Sequence, residues 1–280
     1  MAGGLASAAL AQDSFGQAAQ AKPRKGRLKQ SVTRGCFSSK KSHMTLDDMC
    51  REGARLGLKG FDLIAPEDWP TLKKYGLVPA MCPSGHPLQD GINTKENHAK
   101  IEALMRDNIE RSAKFGCPNV ITLSGNRRGM SDEEGISNCV LFLNKMKAMA
   151  EDKGITICLE LLNSKVNHKD YQCDHTWWGV EVCKRVNSPR VKLLYDIYHM
   201  QIMEGDIIHT IKDNFQYLAH FHTAGVPGRH ELDTNTQELS YRPIAQTLVD
   251  LGFSDFMAHE YGPLHDPLES LDQAITICDV

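Results

Sequence analysis

The sequence predicts an α/β protein: a closed (β/α)8 TIM barrel preceded by a disordered N-terminal extension. Three observations predict it. From about residue 30, short apolar runs alternate eight times with amphipathic helical stretches, and that alternation implies a parallel sheet. The 280 residues suit a one-domain barrel of about 250. Three acids and a histidine fall near the C-terminal ends of four of the apolar runs, the end at which barrels of this class build their sites.

The elements follow in order. The first strand is expected over 30–37. A helix follows, with Thr45 as N-cap, Asp47 and Asp48 in its first turn and Gly57 as its stop. The second strand, 58–65, leads to a short helical piece ending at Gly76, and the third covers 77–84. A long helix over 93–115 stops at Gly116, before the fourth strand at 119–125. Helix 132–153 ends at Gly154 and runs into the fifth strand, 156–163. Helix 174–186 precedes the sixth strand, 191–199, and helix 206–215 the seventh, 217–225. Helix 241–251 stops at Gly252, the eighth strand covers 255–263, and a helix over 268–278 closes the count. No strand leads into a GxGxxG or GxxxxGK[ST] loop, so an open nucleotide-binding sheet has no support.

Two parts are therefore expected, an extension over 1–29 and a barrel domain over 30–280. Within the extension, Ala9-Leu10-Ala11 has the form of a signal-peptidase site, without the positive start or long apolar core of a complete signal. Two readings stay open: the remnant of a periplasmic export signal, or a flexible extension on a cytoplasmic protein. The basic cluster Lys22, Arg24, Lys25, Arg27 and Lys29 reads as a solvated arm. Nine scattered cysteines without a CxxC pair read as buried thiols rather than a disulfide framework. Net charge is -3, which disfavours nucleic acid as a partner. No apolar run approaches the ~20 residues needed to span a bilayer, so no membrane partner is expected.

Glu160, Asp196, His222 and Glu260 are the candidate site. A carboxylate inside an apolar run is costly to bury unless it is paired or binds a metal. Any one of these acids could simply cap the following helix. All four residues together, on strands five to eight, form a divalent-cation ligand set of oxygens plus one imidazole. Strands five and eight would set Glu160 and Glu260 facing across the barrel. Such a cation chelates a hydroxyl and an adjacent carbonyl and stabilises the enediolate, while one glutamate removes a proton and the other returns it. Return to the neighbouring carbon is isomerisation; return to the opposite face is epimerisation.

The segments LELLN (159–163), YDIYH (195–199), HFHTAGVPGRHE (220–231) and HEYGP (259–263), with ELSY at 238–241, resemble the xylose-isomerase-like barrel superfamily, and within it the hydroxypyruvate isomerase family, near the ketose 3-epimerases. The resemblance covers about residues 30–280. It implies one divalent metal ion, Mg, Mn, Co or Zn, held by Glu160, Asp196, His222 and Glu260, with the two glutamates as the acid–base pair. It also implies His199 and Arg229 as substrate contacts; an arginine fork binds a carboxylate bidentately. The implied activity is conversion of hydroxypyruvate to tartronate semialdehyde, with ketose epimerisation or sugar isomerisation as the alternative. The partner is then a small hydroxy-oxo acid or sugar, and assembly as a homo-oligomer is implied. Endonucleases also occur in the superfamily, but they need more histidines and a basic groove. One departure stands out. The epimerases carry a substrate-contacting glutamate six residues after the first metal-binding one, and here that position is Val166.

Several residues have ordinary readings. His86 is expected to make turn contacts, Lys165 and His168 to be solvated, and Arg127 and Arg128 to be solvated rather than a phosphate clamp. One of Trp177 and Trp178 should pack the barrel–helix layer. His230 and Glu231 flank Arg229 and could orient it, and Cys82 and Cys158 should be inert.

Overall fold

The computed structural model describes residues 22–38 and 43–280. The candidate export signal lies outside them. Eight parallel strands form one sheet: β1 Lys29–Val32, β2 Gly60–Asp62, β3 Val78–Met81, β4 Asn119–Thr122, β5 Thr156–Leu161, β6 Val191–Asp196, β7 Leu218–Thr223 and β8 Phe256–His259. Their order is β3-β2-β1-β8-β7-β6-β5-β4. A bridge between Cys82 and Val120 joins the two outer strands and closes the barrel, with Cys82 N–H donating to Asn119 O at 2.9 Å and Ile121 N–H to Cys82 O at 3.1 Å.

The helices are α1 Leu46–Leu56, α2 Trp69–Lys74, α3 His98–Phe115, α4 Asp132–Lys153, α5 Thr176–Val186, α6 Ile197–Met203, α7 Ile207–Asn214, α8 Tyr241–Asp250 and α9 Pro267–Cys278. Local chemistry sets their ends. Thr45 and Asp48 form a reciprocal capping box on α1. Gly116 and Gly154 end α3 and α4 in the left-handed conformation, which glycine adopts without steric cost. No helix among the described residues is long and apolar enough to cross a membrane.

Most apolar side chains lie in the layer between barrel and helices, with Phe61, Phe142, Trp178 and Phe221 all buried there. A smaller cluster of Met81, Ile121, Cys158 and Leu194 is separate from it. All nine cysteines are buried free thiols; burial pushes the Cys82 thiol up to about 12 and Cys158 well above its ordinary value.

Every strand ends earlier than the apolar runs suggest. Sheet pairing stops where neighbouring strands stop overlapping, and the rest of each run continues as a mouth loop. The first run turns into a 3-10 segment, Arg34–Phe37, that buries Cys36 and Phe37. The sixth run breaks at Asp196, so Tyr198 and His199 lie on α6 and not on a strand. Glu260 lies just beyond β8.

The disordered, solvated arm also needs correction over the residues described. Lys22 N–H donates to Arg55 O at 2.8 Å, and Lys22 and Arg24 both pair with Asp272 on α9. Arg24 Nε reaches Leu56 O at 3.0 Å. Charge complementarity with α9 thus fixes a segment whose composition looked solvated.

Candidate metal centre

Glu160 on β5, Asp196 ending β6, His222 on β7 and Glu260 after β8 bring one ligand atom each within 4.8 Å of one another. His222 Nδ1 lies 2.7 Å from Glu260 Oε2, 3.4 Å from Glu160 Oε1 and 4.0 Å from Asp196 Oδ2. That nitrogen is fully buried and, although within ion-pair distance of Glu260, is not aligned for a hydrogen bond with any neighbour. An orphaned imidazole nitrogen among three carboxylates is a donor set that fits a hard or borderline divalent cation. Glu260 is the open side of the cluster: its side chain is 25% exposed while those of Asp196 and His222 are at most 1%. A cleft of about 540 Å³, lined in part by Arg34, Leu63, Arg229 and Tyr261, opens on Glu260.

Asp196 fills two roles with two oxygens. Oδ1 accepts from His199 N–H at 3.2 Å and caps α6, while Oδ2 faces Arg229 and His222. The helix-cap reading of this acid is met, and its second oxygen is left facing the candidate ligand set. Arg229 Nη2 donates to Glu260 Oε2 at 2.7 Å and to Asp196 Oδ2 at 3.0 Å. The Arg229 backbone, at φ 59°, is held between two loops: its N–H donates to Gly225 O, and its carbonyl accepts from Gly262 N–H at 2.9 Å.

His199 is fully buried, and its orientation is set by Asn163. The Asn163 Oδ1 accepts from Val166 N–H and Asn167 N–H at 3.0 and 2.9 Å. Its amide NH₂ therefore faces His199 Nδ1, 2.6 Å away. Nδ1 is then the acceptor and Nε2 carries the proton. Nε2 lies 3.5 Å from Asp196 Oδ2 without a hydrogen bond, and so keeps an unused donor. Burial, reinforced by the nearby Arg229 charge, pushes His199 well below the usual imidazole range and keeps it neutral.

Burial works against charge throughout this centre. It raises Glu160 and Asp196 despite the cations beside them. Partial desolvation opposes the charge on Glu260 too, but His222 and Arg229 overcome that effect and hold its carboxyl down to about 2. His222 is opposed by burial, yet Glu260, Asp62 and Glu160 lift it well above its ordinary value. A raised histidine stabilises the folded metal-free protein fully below its unfolded pKa of about 6.5, and that contribution fades as pH rises through the higher folded value. Cation binding at Nδ1 must displace the proton. Loading at neutral pH is therefore expected to release about one proton or more, with apparent affinity rising with pH. Calorimetry in buffers of different ionisation enthalpy measures this; zero proton release would contradict a protonated His222.

The six residues singled out in the sequence all converge here. Sequence reasoning missed Asn163, Asp62 and Ser31, and gave His220 no role. Asp62 carried a usable signal, because it too is an acid inside an apolar run, GFDLI. His168 and Lys165 are not simply solvated: the His168 ring centroid is 5.1 Å from that of His199, and Lys165 Nζ donates to Ile202 O and Met203 O. Glu231 does not touch Arg229; it accepts from Leu264 N–H, His265 N–H and Ser270 Oγ and pins the loop after β8. His230 Nδ1 lies 2.8 Å from Gly262 O. Arg127 and Arg128 pair with Asp132 and Asp90. Trp178 packs inside and Trp177 is exposed. His86 is buried, with Nδ1 at 3.2 Å from Pro87 O.

Residues 69–277 match the family described as xylose isomerase-like TIM barrel. The chain belongs to this family. Among relatives, a 2-oxo-tetronate isomerase of Cupriavidus necator is 36% identical over 85 residues, 30% of this chain and 32% of that protein. A putative hydroxypyruvate isomerase of Danio rerio is 34% identical over 101 residues, 36% of each chain. The matched segment thus spans about a third of each of these two relatives. Among solved structures, a family 2 AP endonuclease from Brucella melitensis superposes with a TM-score of 0.76 at 21% identity, covering 87% of this chain and 97% of that one. At that identity the likeness speaks for the shared xylose isomerase-like fold alone.

Proposed function

We propose that this protein is a metal-dependent isomerase of short hydroxy-oxo acids, with hydroxypyruvate converted to tartronate semialdehyde as its reaction. The observation that carries the reading is the orphaned His222 Nδ1 set among the Glu160, Asp196 and Glu260 carboxylates. A divalent cation bound there, Mg, Mn, Co or Zn, would polarise the carbonyl and hydroxyl oxygens of the substrate and acidify the C–H beside the carbonyl.

The rest of the chemistry falls to side chains. One of Glu160 and Glu260 takes the proton from the hydroxyl-bearing carbon and the other delivers a proton to the former carbonyl carbon, while the hydroxyl proton passes to the former carbonyl oxygen, so the carbonyl moves by one position with no net redox change. His199 Nε2–H donates to a substrate oxygen. Arg229, beside the open edge of the centre, binds the substrate carboxylate. The names of the two relatives, both isomerases of oxo or hydroxy-oxo acids, point the same way.

Ketose 3-epimerisation is the alternative. Against it, Val166 stands where the epimerases have a substrate-contacting glutamate, and its side chain points to solvent, 67% exposed.

A turnover panel on metal-loaded protein tests the reading, with hydroxypyruvate, 2-oxo-tetronate, fructose and tagatose compared before and after EDTA. Chelator-sensitive turnover of hydroxypyruvate is expected. Ketose epimerisation without turnover of either acid would overturn the substrate and leave the site. Activity that survives verified metal removal would overturn the mechanism.

A further inference from the structure

Beneath the candidate metal centre lies a second buried polar cluster that the proposed chemistry does not use. Asp62 at the end of β2 is fully buried. Its Oδ1 accepts from Ser31 Oγ at 2.6 Å. Its Oδ2 lies 2.6 Å from His220 Nε2 and 3.3 Å from His222 Nε2. Strand β1 thus places one polar side chain, and β7 two, on a single carboxylate borne by β2. A carboxylate only accepts, so both imidazoles present Nε2–H to it.

We propose that Asp62 is a positioning residue for the metal centre. It holds His222 in the orientation and tautomer that turn the Nδ1 lone pair toward Glu160, Asp196 and Glu260. The inference rests on the metal-centre reading and extends it to a residue outside the ligand set. Without Asp62, the His222 ring can rotate about its outer bond or carry its proton on Nδ1, and either change removes the ligand atom. Ser31 and His220 hold Asp62 in place: the serine occupies one oxygen, and the neighbouring imidazole shares the other with His222. Partners of this kind commonly set metal affinity by about 10- to 100-fold.

The same three residues could alternatively be ligands themselves, since Asp62, His220 and His222 also bring ligand atoms within 4.8 Å of one another. The hydrogen-bond spacing around one carboxylate oxygen favours positioning, and stoichiometry separates the two.

Zinc titration of the full chain is the test, followed by calorimetry and metal analysis, with nitrogen-15 NMR of the zinc-loaded histidines. Wild type is expected to bind one zinc per chain, with His222 ligated through Nδ1 and protonated at Nε2. Asp62→Asn is expected to lose about 10- to 100-fold in zinc affinity while still melting cooperatively, at a lower metal-free temperature because a buried carboxylate paired with His220 and His222 is lost, and Ser31→Ala to lose less of both. Equal zinc affinity in wild type and a folded Asp62→Asn would overturn the proposal and leave the metal centre standing. Ligation of His222 through Nε2 in wild type would overturn it without any variant. Two zinc ions per chain, one of them lost in Asp62→Asn, would overturn it in favour of a ligand role. Absence of zinc binding by wild type would overturn the metal centre itself and this inference with it.

Discussion

Glu160→Gln is expected to lower turnover by about 10²- to 10⁴-fold, the usual contribution of a positioned acid–base group, without a matching loss of stability. Gln keeps the volume and accepts hydrogen bonds, but it cannot exchange the proton. In the metal-free protein burial disfavours Glu160 as an ion, and Glu260 and Asp196 add repulsion. Its raised value means that ionisation costs folding energy: the cost is absent below the ordinary carboxylate range, grows as pH rises through it and is full above the raised folded value. Removing that charge should leave the metal-free melting temperature unchanged or higher near neutral pH. Glu260→Gln should lose activity by a similar factor and behave oppositely in stability. Glu260 is held down to about 2 by His222 and Arg229, so its stabilising charge is present above the unfolded carboxylate range and lost as pH falls through the lower value. Steady-state kinetics with thermal melts of both variants decides. Retention of turnover within tenfold by either variant would remove that residue from the acid–base pair.

Gly225→Ala is expected to damage the loop that carries Arg229. A Cβ on Gly225 would lie 2.2 Å from Glu231 O and 3.1 Å from the Gln237 side chain. The first contact is with backbone and cannot be relieved by a rotamer. Gly225 N–H donates to His230 O at 2.9 Å, and Gly225 O accepts from Arg229 N–H, so any shift is passed to the arginine. Overpacking of this kind costs about 1–3 kcal/mol, or several degrees of melting temperature in a chain of this size. A raised KM for hydroxypyruvate should accompany it. Gly262→Ala is the control, since a Cβ there meets nothing within 4 Å. Equal melting temperature and KM in the two variants would show that the loop does not depend on the close approach at Gly225.

The barrel was legible because its signals are local. Short apolar runs, Thr45 with Asp48, and the glycines at 116 and 154 each act within a few residues of themselves. The four ligand candidates were legible because buried acids in apolar runs are conspicuous. Strand ends were not, because sheet overlap is a property of neighbours distant in sequence. Asp196 shows the difficulty: one side chain both stops β6 and faces the site, so the apolar run misled about Tyr198 and His199. Asn163 and Ser31 escaped because small polar residues acquire roles only from what the fold brings beside them. The same holds for Lys22 and Arg24, whose partner Asp272 is about 250 positions away.

The closing joint of the barrel bears on how the molecule breathes. β3 and β4 meet through the single bridged pair Cys82 and Val120, whereas β5 through β8 are each paired over several residues, with one register shift at Leu193 and Leu194. Local opening free energy follows the density of such pairings. Amide hydrogens along the β3–β4 joint should exchange with solvent before those of β5–β7. Loosening would begin on the side away from His222, and the wall that holds the four candidate ligand side chains would be among the last parts of the sheet to part.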